Sequence, residues 1–307
     1  MKTFLFRTGS SVVLLTLFFC SILLKGPLGF AIFSTIAVFC SFFAAVELCS
    51  ILASAGRKSY PFLVSTTISL LVASVLLLRS PLGGGPLLIV GTLICLQAWL
   101  IILFAKGRQE VVERALCSLG VVLMLGLPLS LLTFFYVGMG PLALLFLILV
   151  TKAGDIGAYL VGTVTNKLMK GGNHKMIPSI SPGKSWEGAI GGALLSIGVS
   201  MALGNFFVNS MKYAPHPLVP INEFLFFSSI LNPHPLTLAA VLGFVLFLSG
   251  FIGDLSESSL KRVCGVKDSG RVLPGIGGLM DLLDSLLFSG PVFLLYIIFL
   301  NFAQIRR

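Results

Sequence analysis

The chain is short of charge. Only 10% of its 307 residues are Asp, Glu, Lys or Arg, where a soluble domain carries about 25%, and 56% are hydrophobic at a mean hydropathy of +1.04. That balance excludes an ordinary soluble domain. Paired cysteines are lacking too: Cys20, Cys40, Cys49, Cys95, Cys117 and Cys264 show no CxxC spacing and mostly lie in or beside apolar runs, so neither a disulfide framework nor a zinc site is indicated. Of the three histidines, His216 and His234 each precede a proline in residues 209–235 and read as loop residues rather than metal ligands. No internal repeat, low-complexity linker or nucleic-acid motif is visible. The net charge of +10 therefore points to anionic lipid, which attracts each juxtamembrane Lys or Arg by about 1 kcal/mol.

What the chain has in quantity is apolar runs of spanning length. Counting stretches of roughly 20 residues predicts an all-α polytopic integral membrane protein with about nine transmembrane helices. They are expected at residues 4–24, 28–53, 61–78, 87–105, 116–137, 141–161, 190–208, 236–260 and 282–302. The Lys25-Gly26-Pro27 step reads as a turn between two retained spans rather than the end of a signal peptide. With the amino terminus cytoplasmic, fifteen Lys and Arg fall on cytoplasmic segments and five outside, with Lys152 inside span six. This threefold bias obeys the positive-inside rule and places the carboxyl end outside.

The few acids are not spread evenly. Residues 1–140 hold only Glu47, Glu110 and Glu113. The last two sit among basic neighbours in a polar loop, and Glu47, inside span two where an ionisable group is expensive, is either functional or, the reading given more weight, a carboxylate near a helix end reaching water. Asp155, Glu187, Asp254, Glu257, Asp268, Asp281 and Asp284 all lie later, near the cytoplasmic ends of spans six to nine. The expected division is a scaffold over 1–140 and a catalytic region, with a cytoplasm-facing site, over 141–307.

Three constellations carry chemistry. Asp281 and Asp284 share a helix face at i,i+3, just after Gly275-Ile276-Gly277-Gly278, where a helix start favours carboxylates and offers amides to phosphate. Asp254, Glu257, Ser258 and Lys261 recur at helical spacing on the preceding span, which a short loop makes an antiparallel neighbour. Carboxylates this close repel unless a cation neutralises them, and oxygen donors alone favour Mg²⁺ or Mn²⁺ over zinc. Lys261, Arg262, Lys267 and Arg271 supply positive charge for phosphate. A second group, Ser181-Pro182-Gly183-Lys184-Ser185-Trp186-Glu187-Gly188, leads into span seven; it is no Walker A, because Pro178 stands where the first glycine belongs. A third, Lys152-Ala153-Gly154-Asp155-Ile156-Gly157-Ala158-Tyr159, pairs Lys152 with Asp155 at i,i+3.

The order Gly253-Asp254-Leu255, Ser258-Ser259-Leu260-Lys261-Arg262, Lys267-Asp268-Ser269-Gly270, Pro274-Gly275-Ile276-Gly277-Gly278 and Asp281-Leu282-Leu283-Asp284 resembles the signature of CDP-diacylglycerol synthases, the phosphatidate cytidylyltransferases. The elements at Lys152–Tyr159 and Ser181–Gly188 are similar to further blocks of that family. The resemblance implies Mg²⁺-dependent transfer of the cytidylyl group from CTP to phosphatidic acid, in a homodimer embedded in the cytoplasmic membrane. A second cation is also compatible with it. It implies Asp254 and Asp281 as leading metal ligands, with Asp284 and Ser258 beside them. Lys261 and Lys267 become catalytic cations, Arg262, Asp268, Arg271, Lys184 and Ser181 substrate contacts, and Asp155 a border of the site. Two positions depart from the pattern, Ile276 for the usual His and Leu282 for the usual Arg. A CTP-dependent kinase of a polyprenyl alcohol and an ion-coupled transporter remain as alternatives, although one-sided charge without a repeat disfavours the transporter.

Overall fold

The computed structural model describes residues 16–24, 26–77, 109–213, 235–270 and 278–305. Apolar side chains on every face leave each segment no choice but to satisfy its own backbone, so the described residues are overwhelmingly helical. The helices are α1 (Pro27–Ser54), α2 (Pro61–Leu77), α3 (Gln109–Val121), α4 (Leu127–Phe134), α5 (Pro141–Leu168), α6 (Trp186–Tyr213), α7 (Pro235–Val263) and α8 (Leu279–Ile305). Two π segments, Val122–Gly126 and Phe135–Met139, join α3 and α4 into the rod Gln109–Met139. Proline at the first position opens α1 and α5, where no intrahelical N–H is lost. Hydroxyls inside the helices bond back to carbonyls one turn earlier, as Ser65 to Pro61 and Thr133 to Leu129 do, so they need no water.

Six rods are long and apolar enough to cross a bilayer: Pro27–Ser54, Gln109–Met139, Pro141–Leu168, Trp186–Phe206, Leu236–Val263 and Leu279–Leu300. The protein is an all-α polytopic membrane protein. Each of these coincides with an expected span, and the expected 61–78 segment is the shorter apolar helix α2. The expected span at 87–105 lies outside the described residues, as does most of 4–24, of which residues 16–23 are helical. One piece was not expected: Lys175–Ile177 (β1) and Ser181–Ser185 (β2) pair as a small antiparallel hairpin ahead of α6.

The chain forms two compact units, one of residues up to 137 with 260–283, the other of 138–259 with 284–307. In the first, α1 and α2 touch through Ser41 and Ser69, whose hydroxyls are 3.2 Å apart, over a core that includes Leu48, Ile68, Leu125 and Phe135. Phe33 stacks on Tyr136, whose hydroxyl donates to the Ser21 carbonyl at 2.7 Å. A Schellman turn with Gly265 at φ 71° ends α7: the Val266 N–H reaches the Lys261 carbonyl and the Gly265 N–H that of Arg262.

In the second unit, small residues let helices approach closely, the usual membrane solution. A Cβ on Gly157 would stand 2.7 Å from the Gly191 carbonyl, so α5 and α6 meet backbone to backbone. Ser196 on α6 donates to Val150 on α5 at 3.0 Å and to Gly243 on α7 at 2.9 Å, tying three helices. Tyr296 on α8 donates to Leu238 on α7 at 2.8 Å. The hairpin is fixed to the unit by Asn173, whose amide donates to the Gly162 carbonyl at 2.9 Å and to the Ser185 hydroxyl at 3.0 Å. Ser185 in turn accepts the Gly188 N–H at 3.1 Å and caps α6.

Candidate functional site

Many of the polar residues singled out in the sequence gather into small networks, two in the second unit and one in the first. In the second unit α7 and α8 touch where they carry acid: a Cβ on Gly253 would lie 2.5 Å from the Asp284 carbonyl. Next to that contact the Lys184 ammonium, delivered by the hairpin, sits 2.9 Å from Asp254 Oδ2. It also donates to the Phe251 carbonyl at 3.2 Å and lies 4.1 Å above the Phe251 ring. The lysine side chain is 14% exposed and the aspartate 38%, so the cation is held while its anion keeps an open side. Ser258, one turn on, donates to Asp254 Oδ1 at 3.4 Å.

The same unit holds a second lysine. Lys152 on α5 donates to Ser285 Oγ at 2.7 Å and to Asp155 Oδ2 at 3.1 Å, and its ammonium is 3.9 Å from Asp284 Oδ1. Ser285 donates its hydroxyl to Asp155 at 3.3 Å and its N–H to Asp284. An ionisable residue inside a span is expensive unless paired, and here one ammonium serves two carboxylates and a hydroxyl. The expected Lys152–Asp155 pair is present, enlarged by Ser285 and Asp284. Glu257 is buried in α7.

In the first unit Asp281 is the centre. Its Oδ1 accepts from the Lys261 ammonium at 2.5 Å and the Ser269 hydroxyl at 2.8 Å, and its Oδ2 from the Gly278 N–H at 3.1 Å. The last bond is half of a capping box, an acid in the first turn reaching back to the residue that precedes the helix. Glu47 of α1 accepts the Met280 N–H at 3.0 Å. Two of the amides expected to lie open for phosphate are thus taken by carboxylates.

The other expected residues are placed as follows. Lys267, Asp268 and Arg262 are exposed, Ser181 is in β2 opposite Ile177, and Arg271 and Ile276 lie outside the described residues. Leu282 is an exposed residue of α8. Among the described residues no three His, Cys, Asp or Glu side chains gather as a metal cage.

The sequence profile of the cytidylyltransferase family matches residues 5–300, nearly the whole chain. The chain belongs to the cytidylyltransferase family. Among its relatives is the uncharacterised protein YnbB of Escherichia coli (strain K12), 38% identical over 159 residues, 52% of this chain and 43% of that protein. The phosphatidate cytidylyltransferase of Mycobacterium bovis is 36% identical over 137 residues, 45% of this chain and 35% of that one. That of Staphylococcus haemolyticus is 34% identical over 199 residues, 61% of this chain and 60% of its own. The matches thus span from about a third to three fifths of these relatives' lengths.

Within this cytidylyltransferase-family chain, two participants escaped the sequence reading. For Glu47 the weightier expectation was a carboxylate reaching water, yet it is 3% exposed and bonded to α8. Its signal was the high cost of an intramembrane acid, which argues for a partner even when the partner is 233 residues away. Ser285 gave no signal, since nothing in the sequence distinguishes it from Ser289 one turn later.

Proposed function

We propose that the protein transfers the cytidylyl group of CTP to phosphatidic acid, releasing pyrophosphate and forming CDP-diacylglycerol in phospholipid biosynthesis. Membership of the family and the names of the relatives support this reading. The observation that carries it is the Lys184–Asp254 pair, a dried cation fixed beside a half-open carboxylate at the meeting of hairpin and α7.

A phosphate monoester has its second pKa near about 6, so phosphatidic acid is largely dianionic at neutral pH and needs no base to become a nucleophile. One of its oxygens bonds to the α-phosphorus of CTP, the bond to the β-phosphate bridging oxygen breaks, and pyrophosphate leaves with that electron pair. The protein must hold two anions together and offset their repulsion. Lys184 and Lys152 are assigned to this within the second unit; Lys261, taken by itself in the first, is assigned to phosphate through its hold on Asp281. The exposed Arg262 and Lys267, with Asp268 and Arg271, are assigned to the phosphates and nucleotide at the membrane surface.

Mg²⁺ is the proposed cofactor. Such an ion takes one or two carboxylates and completes its shell with water and substrate phosphate, which suits single acids better than a closed cage. Asp254, open on one side and next to the Ser258 hydroxyl, would hold it with Asp284 at hand; when bound it would supply further neutralisation of phosphate charge. Asp281, whose oxygens accept from three donors, is assigned first to holding Lys261 in place.

We further infer nine crossings, with the amino terminus and the site facing the cytoplasm across the cytoplasmic membrane. The fifteen-to-five distribution of basic residues supports that orientation. A homodimer rests on the family resemblance alone.

The test uses the purified chain in lipid nanodiscs, CTP labelled either in the cytosine or at the γ-phosphate, and phosphatidic acid or a polyprenyl alcohol. Cytosine label appearing on phosphatidic acid, only with Mg²⁺ added, is the expected result. Label from the γ-phosphate on the alcohol would replace the reading with a lipid kinase.

A further inference from the structure

The chemistry above calls on no residue of α1, yet one of them is built into the first unit's network. Glu47 lies about two turns before the end of α1 and is 3% exposed. A carboxylate buried at that depth needs compensation. Part of it is the Met280 N–H, which belongs to the first turn of α8 and so has no partner within its own helix. The positive end of the helix dipole adds to that.

Steric fit adds to the hydrogen bond. A Cβ on Gly278 would come 2.8 Å from Glu47 Oε2, and a Cβ on Gly270 would come 2.5 Å from Oε1. The carboxylate therefore lies directly against two backbones, and a side chain at either glycine would have to displace it. These backbones also touch each other, since the same Cβ on Gly278 would stand 2.7 Å from Ser269 Cβ and 3.0 Å from the Gly270 nitrogen. Ser269 and Gly278 are the residues that, with Lys261, hold Asp281. One buried acid thus rests against two of the three segments from which Asp281 takes its bonds.

We infer that Glu47 is a positioning residue for the transfer reaction: lodged against Gly270 and Gly278, its carboxylate fixes the start of α8 and through it the Asp281–Lys261 pair. It touches no reacting atom. The inference leans on the proposed activity only for its kinetic consequence, and the seating of α8 is measured without substrate.

The experiment compares the full chain in nanodiscs as wild type, Glu47→Gln, Glu47→Ala, Asp281→Asn and the double variant Glu47→Ala/Asp281→Asn. Hydrogen exchange is read first. Glu47→Ala is expected to speed exchange at the Met280 amide by about tenfold with other helices unchanged, while Glu47→Gln, which keeps an acceptor oxygen, stays near wild type. Kinetics follow: Glu47→Ala is expected to lower kcat about tenfold or more with KM for CTP within about twofold, and Glu47→Gln to recover most of it. In the Asp281→Asn background the added Glu47→Ala change is expected to cost under about twofold, because both act on one group. Unchanged Met280 exchange, faster exchange throughout the protein, or fully multiplicative losses in the double variant would each overturn the assignment. Should the wild type make no CDP-diacylglycerol, the transfer reading fails, while the Met280 measurement still decides where Glu47 acts.

Discussion

Lys184 stands with its ammonium 2.9 Å from Asp254 and 4.1 Å above the Phe251 ring, so its charge is already held in place when an anion arrives. Lys184→Met keeps the stem and removes the charge. We expect kcat/KM for CTP to fall by about 10² to 10³, the usual cost of one lost charge-stabilising donor, with the thermal midpoint little changed. Lys152 is different in kind, because it serves Asp155, Asp284 and Ser285 together. Lys152→Met should therefore cost stability as well as rate, by about 1 to 3 kcal/mol, since it leaves the nearly buried Asp284 and the Ser285 hydroxyl without their shared ammonium. A melt in detergent alongside the rate assay separates the two lysines. Leu282→Arg adds a guanidinium on an exposed face of α8; a severalfold rise in rate would show that the chain works below its ceiling for want of that cation. These pairings set the limit of what residues reveal in sequence. Lys152 with Asp155 was legible because three residues on a helix are neighbours, whereas Lys184 and Asp254, or Glu47 and Met280, meet only through folding.

Helices and their ends carry the next layer. The segment before α6 reads from sequence as a polar turn, and becomes a hairpin because Asn173 and Ser185 are bonded side chain to side chain and to the backbone of α5 and α6. Nothing in a run such as Ser-Pro-Gly-Lys-Ser announces a strand, since its stability comes from those two anchors rather than from propensity. Ser185→Ala should cost about 1 kcal/mol by uncapping α6. By loosening the hairpin it should also weaken CTP turnover more than that loss of stability alone would, which comparison of melts and rates would reveal. Gly157 tests a second element-level idea, that α5 and α6 need backbone contact. Gly157→Leu forces them apart and is expected to destabilise the fold by about 1 to 3 kcal/mol, measured as a lower thermal midpoint. The six long rods were readable in place, with ends that differ from the expected ones by up to seven residues, because apolar length is set by the bilayer and little else. Their mutual packing was not, because glycine and serine look alike in composition wherever they lie.

At the scale of the whole molecule the decisive quantity is which side of the membrane each polar segment faces. The proposed orientation rests on charge asymmetry: Arg57 and Lys58, then Lys106, Arg108 and Arg114, then Lys167, Lys170, Lys175 and Lys184 would all share one side if the number of crossings is nine. Lys25, Arg79 and Lys212 then fall on the other side. An additional or missing crossing among residues 78–108 would invert everything after it, including the hairpin and the start of α8, so orientation and span number are tested together. In a variant with its six cysteines replaced by alanine or serine, single cysteines at Lys58, Lys170 and Lys212 should behave unequally in intact cells. An impermeant maleimide is expected to label only the cysteine at 212, and all three after permeabilisation. Labelling of 170 but not 212 from outside would place the Lys184–Asp254 network away from cytoplasmic CTP. The transfer reaction could then not be fed, however well the lysines are arranged.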